Sequence, residues 1–293
     1  MANRKWIRGK VNPNNETKKN PTSFAANTSR VKDPIHAFGR DFDQNNQDPG
    51  LDRATSVKDE IDQSKIGPPE AIYEVKTLLG EDKKDFLEAI QYFGVGLPDA
   101  FSISQFLEAY RSDAKIKSVT SNEEMLDPNH PILILKCENN NSLGLVGPEG
   151  SFEEDRPEFE GIPRNYHALV NQLGGHQKGS MDDSGGVYGF GKEVTYGVSR
   201  QRMVFYYSRL FHPYSSRFGS HKGEVTRRFV GVNWLDTDVD MGPGPNFLRK
   251  SHFGVEENLS QFGEEYGGQD SLTRSLYNEE ADEMAELLGL RIR

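Results

Sequence analysis

Apolar residues in this chain fall into short periodic stretches separated by long polar ones. Ile35, Phe38 and Phe42 recur at helical spacing and Pro49-Gly50 closes the stretch, so the pattern predicts a helix over 35–48. Between Glu70 and Phe93 two further amphipathic helical segments are expected, broken at Gly80. Ile72, Val75 and Leu79 mark the first, and Phe86, Leu87, Ile90 and Phe93 the second. Another helix is expected over Ser102 to Tyr110. The run PILILKC, residues 131–137, is continuously apolar, as in a strand of a sheet covered by helices. Residues 139–164 are polar. The pattern then predicts a helix from Tyr166 to Leu173, a glycine-rich loop, a helix after Lys192, and strands at Met203 to Ser208 and at RRFVGVNWL. The end, EEADEMAELLGLRIR, reads as an amphipathic helix with nothing after it to close a sheet.

Helices come first and strands later. This order predicts an α+β domain, a two-layer α/β sandwich with a mixed, mostly antiparallel sheet and helices on one face. Residues 1–33 are basic and rich in Asn, Lys, Thr and Pro, and read as a flexible basic arm ahead of one domain over 34–293. No internal repeat is present. Trp234 and the run Phe205, Tyr206, Tyr207 are expected to face the core.

Composition narrows the picture. Only 34% of the 293 residues are hydrophobic and the mean hydropathy is -0.72, so a good part of the chain is expected in loops. The net charge of -10 argues against broad coating of nucleic acid, although the basic arm leaves DNA open as a partner. A single cysteine, Cys137, excludes an intramolecular disulfide. No apolar run approaches the roughly 20 residues that cross a bilayer, and MANRKWIRGK lacks the apolar core of a signal peptide, so a cytoplasmic protein without membrane contact is expected. His212 and His221 lack a second ligand at metal spacing, and the acidic stretch from Glu149 to Glu160 reads as a solvated loop.

Three stretches could carry chemistry. In RDFDQNNQDPG, a helix would set Asp41, Asn45 and Asp48 on one face, beside the apolar face of Ile35, Phe38 and Phe42. Two carboxylates and an amide are hard oxygen ligands that suit magnesium and a water to be activated. In LKCENNNSLGLVGPEG, a strand runs into Glu138, Asn139 and Gly144. A carboxylate or amide at a strand end can read a base edge, and the glycine permits close backbone approach. In SGGVYGFGKEV, Gly185, Gly186, Gly189 and Gly191 precede Lys192. This satisfies the phosphate-loop pattern G-x-x-x-x-G-K, but Glu193 stands where Ser or Thr would hold magnesium, and a polar segment replaces the preceding strand. Taken singly, the three stretches read more simply as a polar helix end, an Asn-rich turn and a flexible loop.

Their order is jointly informative. A helix bearing acid, Asn and acid, a strand ending in polar residues and glycine, and a G-x-x-G-x-G lid before a helix together resemble the GHKL superfamily of gyrase, the heat-shock chaperone, histidine kinases and MutL. The likeness runs from about Ile35 to the C-terminus and is greatest to the prokaryotic MORC-like ATPases. It implies a Bergerat-type nucleotide-binding fold, with ATP and magnesium as ligands. Asn45 would bind magnesium, Asp41 would stand for the usual water-activating glutamate, and Asp48 would match the acidic position one turn on. Asn139, or Glu138 with the register slipped by one, would replace the aspartate that contacts the adenine amino group. Gly144 would be the adenine-pocket glycine. Gly185, Gly186, Gly189 and Gly191 would form the lid around the phosphates, and Lys192 would meet the γ-phosphate.

The same resemblance implies slow ATP hydrolysis coupled to lid closure and to homodimerisation, or a partner chain that completes the domain. The family's closing strands and transducer domain have no counterpart in this sequence. A bacterial role in DNA-linked processes such as defence against foreign DNA follows by analogy alone. Asp41 is one methylene shorter than glutamate and Asn139 lacks the aspartate's charge, so a nucleotide-binding or scaffolding module that does not hydrolyse is the alternative.

Overall fold

The computed structural model describes residues 4–8, 39, 70–94, 102–113, 119–140, 143–147, 149, 165–166, 169–170, 191–210, 227–240, 247–258 and 271–290. Among these, the elements in chain order are β1 (Arg4–Arg8), β2 (Glu70–Leu78), α1 (Gly80–Ala89), α2 (Ile103–Asp113), α3 (Asn122–Leu126), β3 (Ile132–Asn140) and α4 (Gly191–Val198). They are followed by β4 (Met203–Arg209), β5 (Arg227–Asp240), β6 (Phe247–Asn258), β7 (Ser271–Arg274), β8 (Leu276–Tyr277) and α5 (Glu279–Leu287).

The architecture is α+β. The main sheet runs in the order β1-β6-β5-β4, and every described pairing is antiparallel. β5 and β6 pair from Gly231 to Trp234 and, past a register shift, again at Val239 and Asp240. On the other side of the Gly231–Phe253 pair their partners change, with β8 on β5 at Arg228 and Phe229 and β7 on β6 from Val255 to Asn258.

Strict alternation along the strands gives the sheet two apolar faces. Phe205 and Tyr207 of β4, Phe229 and Leu235 of β5, and Phe253 of β6 join Trp6 in one core with α1, α2 and α5, through Leu87, Ile103, Phe106, Leu107 and Met284. The alternate residues Val204, Tyr206, Val230, Val232 and Trp234 form a second core with Tyr196 of α4, Leu143, Leu145, Val146, Tyr166 and Val170. Helical structure therefore covers both faces, where the sequence pattern led us to expect helices on one. A sheet whose strands are apolar on both sides has to be covered on both.

Three further expectations change. The start of the expected flexible arm is a sheet strand. Trp6 is 1% exposed, its Nε1 donates to the Ile90 carbonyl at 2.8 Å, and its ring meets those of Phe205 and Phe253. The first segment after Glu70 is the strand β2 and not a helix, because the pairing of Glu70–Leu78 with Ile132–Asn140 satisfies its backbone. And the apolar run in β3 lies in a separate two-stranded ribbon with β2, not in a sheet covered by helices. The expected helix over 35–48 lies outside the described residues except for Gly39, which is helical. α1, α2, α4, α5, β4 and β5 occur where the pattern predicts them.

Candidate functional site

The most highly organised polar structure among the described residues holds the segment Leu143–Gly147 against the second face of the sheet. The chain leaves the ribbon at Asn140 and is buried again by Leu143. Gly144 has φ +72, and a Cβ there would run into the Ser208 hydroxyl and the Arg209 carbonyl of β4. Both facts require glycine. The Leu145 N–H donates to Ser208 Oγ at 2.9 Å, and Asn165 Nδ2 donates to the Gly144 carbonyl at 3.2 Å.

Arg228 of β5, 0% exposed, clamps the same segment. Its Nη1 donates to the carbonyls of Leu145 at 2.6 Å and Gly147 at 3.1 Å, and its guanidinium lies 4.4 Å from the centre of the Tyr166 ring. Glu149 balances this charge, with its carboxylate 3.7 Å from Arg228 Nε. The carboxylate also accepts from the Ser275 N–H at 3.1 and 3.2 Å and from the Tyr277 hydroxyl. Burial, reinforced by Glu149, holds the Tyr277 pKa well above its usual value, so the phenol keeps its proton and donates it. Ser275 sits at the junction of β7 and β8, and its hydroxyl lies 3.3 Å from that of Tyr166. A carboxylate engaged by this many donors is an anchor and not a general base. Glu149 is thus buried, whereas the sequence suggested that it opens a solvated loop.

On the same face, α4 packs through Tyr196, whose hydroxyl is 3.3 Å from that of Tyr206. Burial raises both phenol pKa values, that of Tyr206 to about 12. Lys250 Nζ stands 4.2 Å from the centre of the Trp234 ring and donates to the Val170 carbonyl at 2.6 Å. Next to Lys250 on this face of β6, His252 has a buried Nε2 with no hydrogen-bond partner, and burial together with Lys250 depresses its pKa well below 6.5.

Of the residues singled out in the sequence, Gly144, Gly191 and Lys192 belong to segments that this face brings together. Gly191 and Lys192 open α4, whose body shares one core with Leu143, Leu145 and Val146. Glu138 and Asn139 stand on the ribbon instead. Glu138 lies opposite Ile72 with its carboxylate 3.6 Å from Lys136 Nζ, and Asn139 lies opposite Ala71. Asp41, Asn45, Asp48, Gly185, Gly186 and Gly189 lie outside the described residues, as do His212 and His221. Among the described residues no group of three His, Cys, Asp or Glu side chains could hold a metal ion, and no helix is long and apolar enough to cross a membrane.

Sequence reasoning did not single out Arg228, Glu149, Tyr277 or Ser275. The available signal was an arginine placed at the apolar-facing spacing of β5, two residues before Val230, where an unpaired charge would be costly. No family model matches the chain, and no curated protein or solved structure matches it either.

Proposed function

We propose that this chain binds magnesium-ATP on the sheet face that carries Leu143–Gly147 and α4, in a Bergerat-type arrangement, and hydrolyses it slowly. The observation that carries this reading is the meeting of two sequence-distant segments in one core. The glycine segment around Gly144 and the helix opened by Gly191-Lys192 resemble the adenine-pocket loop and the post-lid helix of GHKL ATPases. The glycine at 144 is forced by its contacts, and Arg228 and Glu149 fix the loop's backbone before any ligand arrives. Such preorganisation favours a binding role over a mobile turn.

In this scheme the backbone of the Gly144 segment, seated on β4, would flank the adenine, and Asn139, near the end of the ribbon strand that leads into this segment, would accept from the adenine amino group. The N–H groups of Gly185, Gly186, Gly189 and Gly191 wrap the phosphates, and the positive end of α4 with Lys192 meets their charge. Asn45 would hold magnesium, which would supply charge neutralisation at the phosphates, and Asp48 would line the nucleotide site one turn on. Asp41 orients the attacking water. Catalysis of this kind is mostly positioning, and the shorter Asp41 side chain makes turnover slow.

The reading predicts that Asp41→Asn abolishes ATP turnover and leaves ATP affinity within about twofold. Equal turnover in wild type and variant would contradict it and favour the second reading, a nucleotide-binding or scaffolding module without hydrolysis. The ribbon position of β3 favours that second reading, because Asn139 is half-buried in a two-stranded ribbon and not enclosed at the end of a strand of the main sheet. Work on DNA in a bacterial cytoplasm, with a second copy or a partner chain completing the domain, is the setting that the resemblance proposes.

A further inference from the structure

The ribbon of β2 and β3 has a base in the body and an unusual outer face. Leu78 is buried and Ile132 packs against the first core, which ties down one end. Further along, cross-strand register sets Val75 opposite Leu135 and Thr77 opposite Leu133 on one face. Val75 and Leu133 are each 67% exposed and Leu135 is 41% exposed. Among the described residues, β2 pairs with β3 alone, so its other edge offers a row of backbone donors and acceptors. A two-stranded ribbon with an exposed apolar face is marginal in water, and such an edge is a template for another strand.

The sequence of β2 selects the occupant. Around Val75 the strand reads Tyr73, Glu74, Val75, Lys76, Thr77. Antiparallel pairing with an identical strand about a twofold axis through Val75 sets Glu74 against the partner's Lys76, and Lys76 against the partner's Glu74. It also sets Ile72 against the partner's Leu78 and Val75 against the partner's Val75. Charge meets opposite charge twice and apolar meets apolar. The equivalent operation on β3, about Cys137, would set Lys136 against the partner's Glu138, two residues that already meet within the strand at 3.6 Å, but it would set Leu135 against the partner's Asn139 and Ile134 against the partner's Asn140, so that apolar residues meet amides. Glu74 is available for this role, since its side chain is 63% exposed and its contact with Lys136 is long, at 3.7 Å.

We propose that a second copy of this chain docks on β2, forming a continuous four-stranded antiparallel sheet, β3-β2-β2-β3, about a twofold axis at Val75. The interface is isologous, as twofold contacts are, and requires no nucleotide. It therefore stands or falls independently of the proposed ATP site.

The test uses the full chain without nucleotide, with its mass followed by sedimentation equilibrium over a dilution series. The wild type should be dimeric. Glu74→Lys creates two Lys–Lys oppositions and Lys76→Glu two Glu–Glu oppositions, so each variant alone should dissociate with a constant raised about tenfold or more. Mixing the two variants restores opposite charges at both positions and should return a heterodimer of near wild-type affinity. That rescue shows both variants to be folded and assigns the loss to β2. A monomeric wild type, a dimer indifferent to both reversals, or a mixture that stays monomeric would each overturn the proposal.

Discussion

Gly144 carries two constraints that can be separated by mutation. With φ +72 and the Ser208 hydroxyl and Arg209 carbonyl where a Cβ would stand, Gly144→Ala should cost roughly 1–3 kcal/mol from strain and overpacking, read as a lower denaturant midpoint at unchanged slope. Arg228 and Glu149 act as a unit in which each neutralises the other's buried charge. Glu149→Gln keeps the shape but removes the carboxylate charge beside the buried guanidinium, and should cost about 3–5 kcal/mol in the same assay. His252 gives the chain a pH response whose sign is fixed. Its folded pKa lies well below 6.5 because of burial and Lys250, so only the unfolded chain takes up a proton as pH falls through 6.5. Stability should drop below that pH by up to about 1.4 kcal/mol per unit, and His252→Gln should remove this part of the slope.

At the scale of elements, β1 is the part that composition hid most completely. Its five residues, RKWIR, sit in a basic, polar stretch, yet register with β6 buries Trp6 between two phenylalanine rings. Trp6→Ala should cost about 3–5 kcal/mol, far more than trimming a flexible arm would, and thermal unfolding measures it. Where burial imposed a period, the sequence was legible: α1 and α2 show their apolar faces, and β4 and β5 show continuous apolar runs. β2 was misread because both of its faces are largely exposed, so Ile72, Val75 and Leu79 matched helical spacing by chance. β6 escaped because FLRKSHFGVEEN mixes charged and polar residues into an interior strand, flanked by β1 on one side and by β5 and β7 on the other only in three dimensions. The pairing of Arg228 with Glu149 and Tyr277 joins residues far apart in the chain, and no local pattern encodes it.

At the scale of the whole molecule, one antiparallel sheet separates two different environments. One face is a conventional apolar core of aromatic rings and helices α1, α2 and α5. The other combines apolar packing with a tethered glycine segment, the start of α4, a lysine over Trp234 and a neutral histidine. The tethered glycine segment and the buried charges beside it are the features on which the proposed ATP site rests. The measurement that tests this most directly is calorimetric titration of the folded chain with magnesium-ATP, alongside Asn45→Ala. The account predicts saturable binding by the wild type and its loss in the variant. A folded wild-type chain that takes up no nucleotide, or equal binding by both proteins, would contradict it.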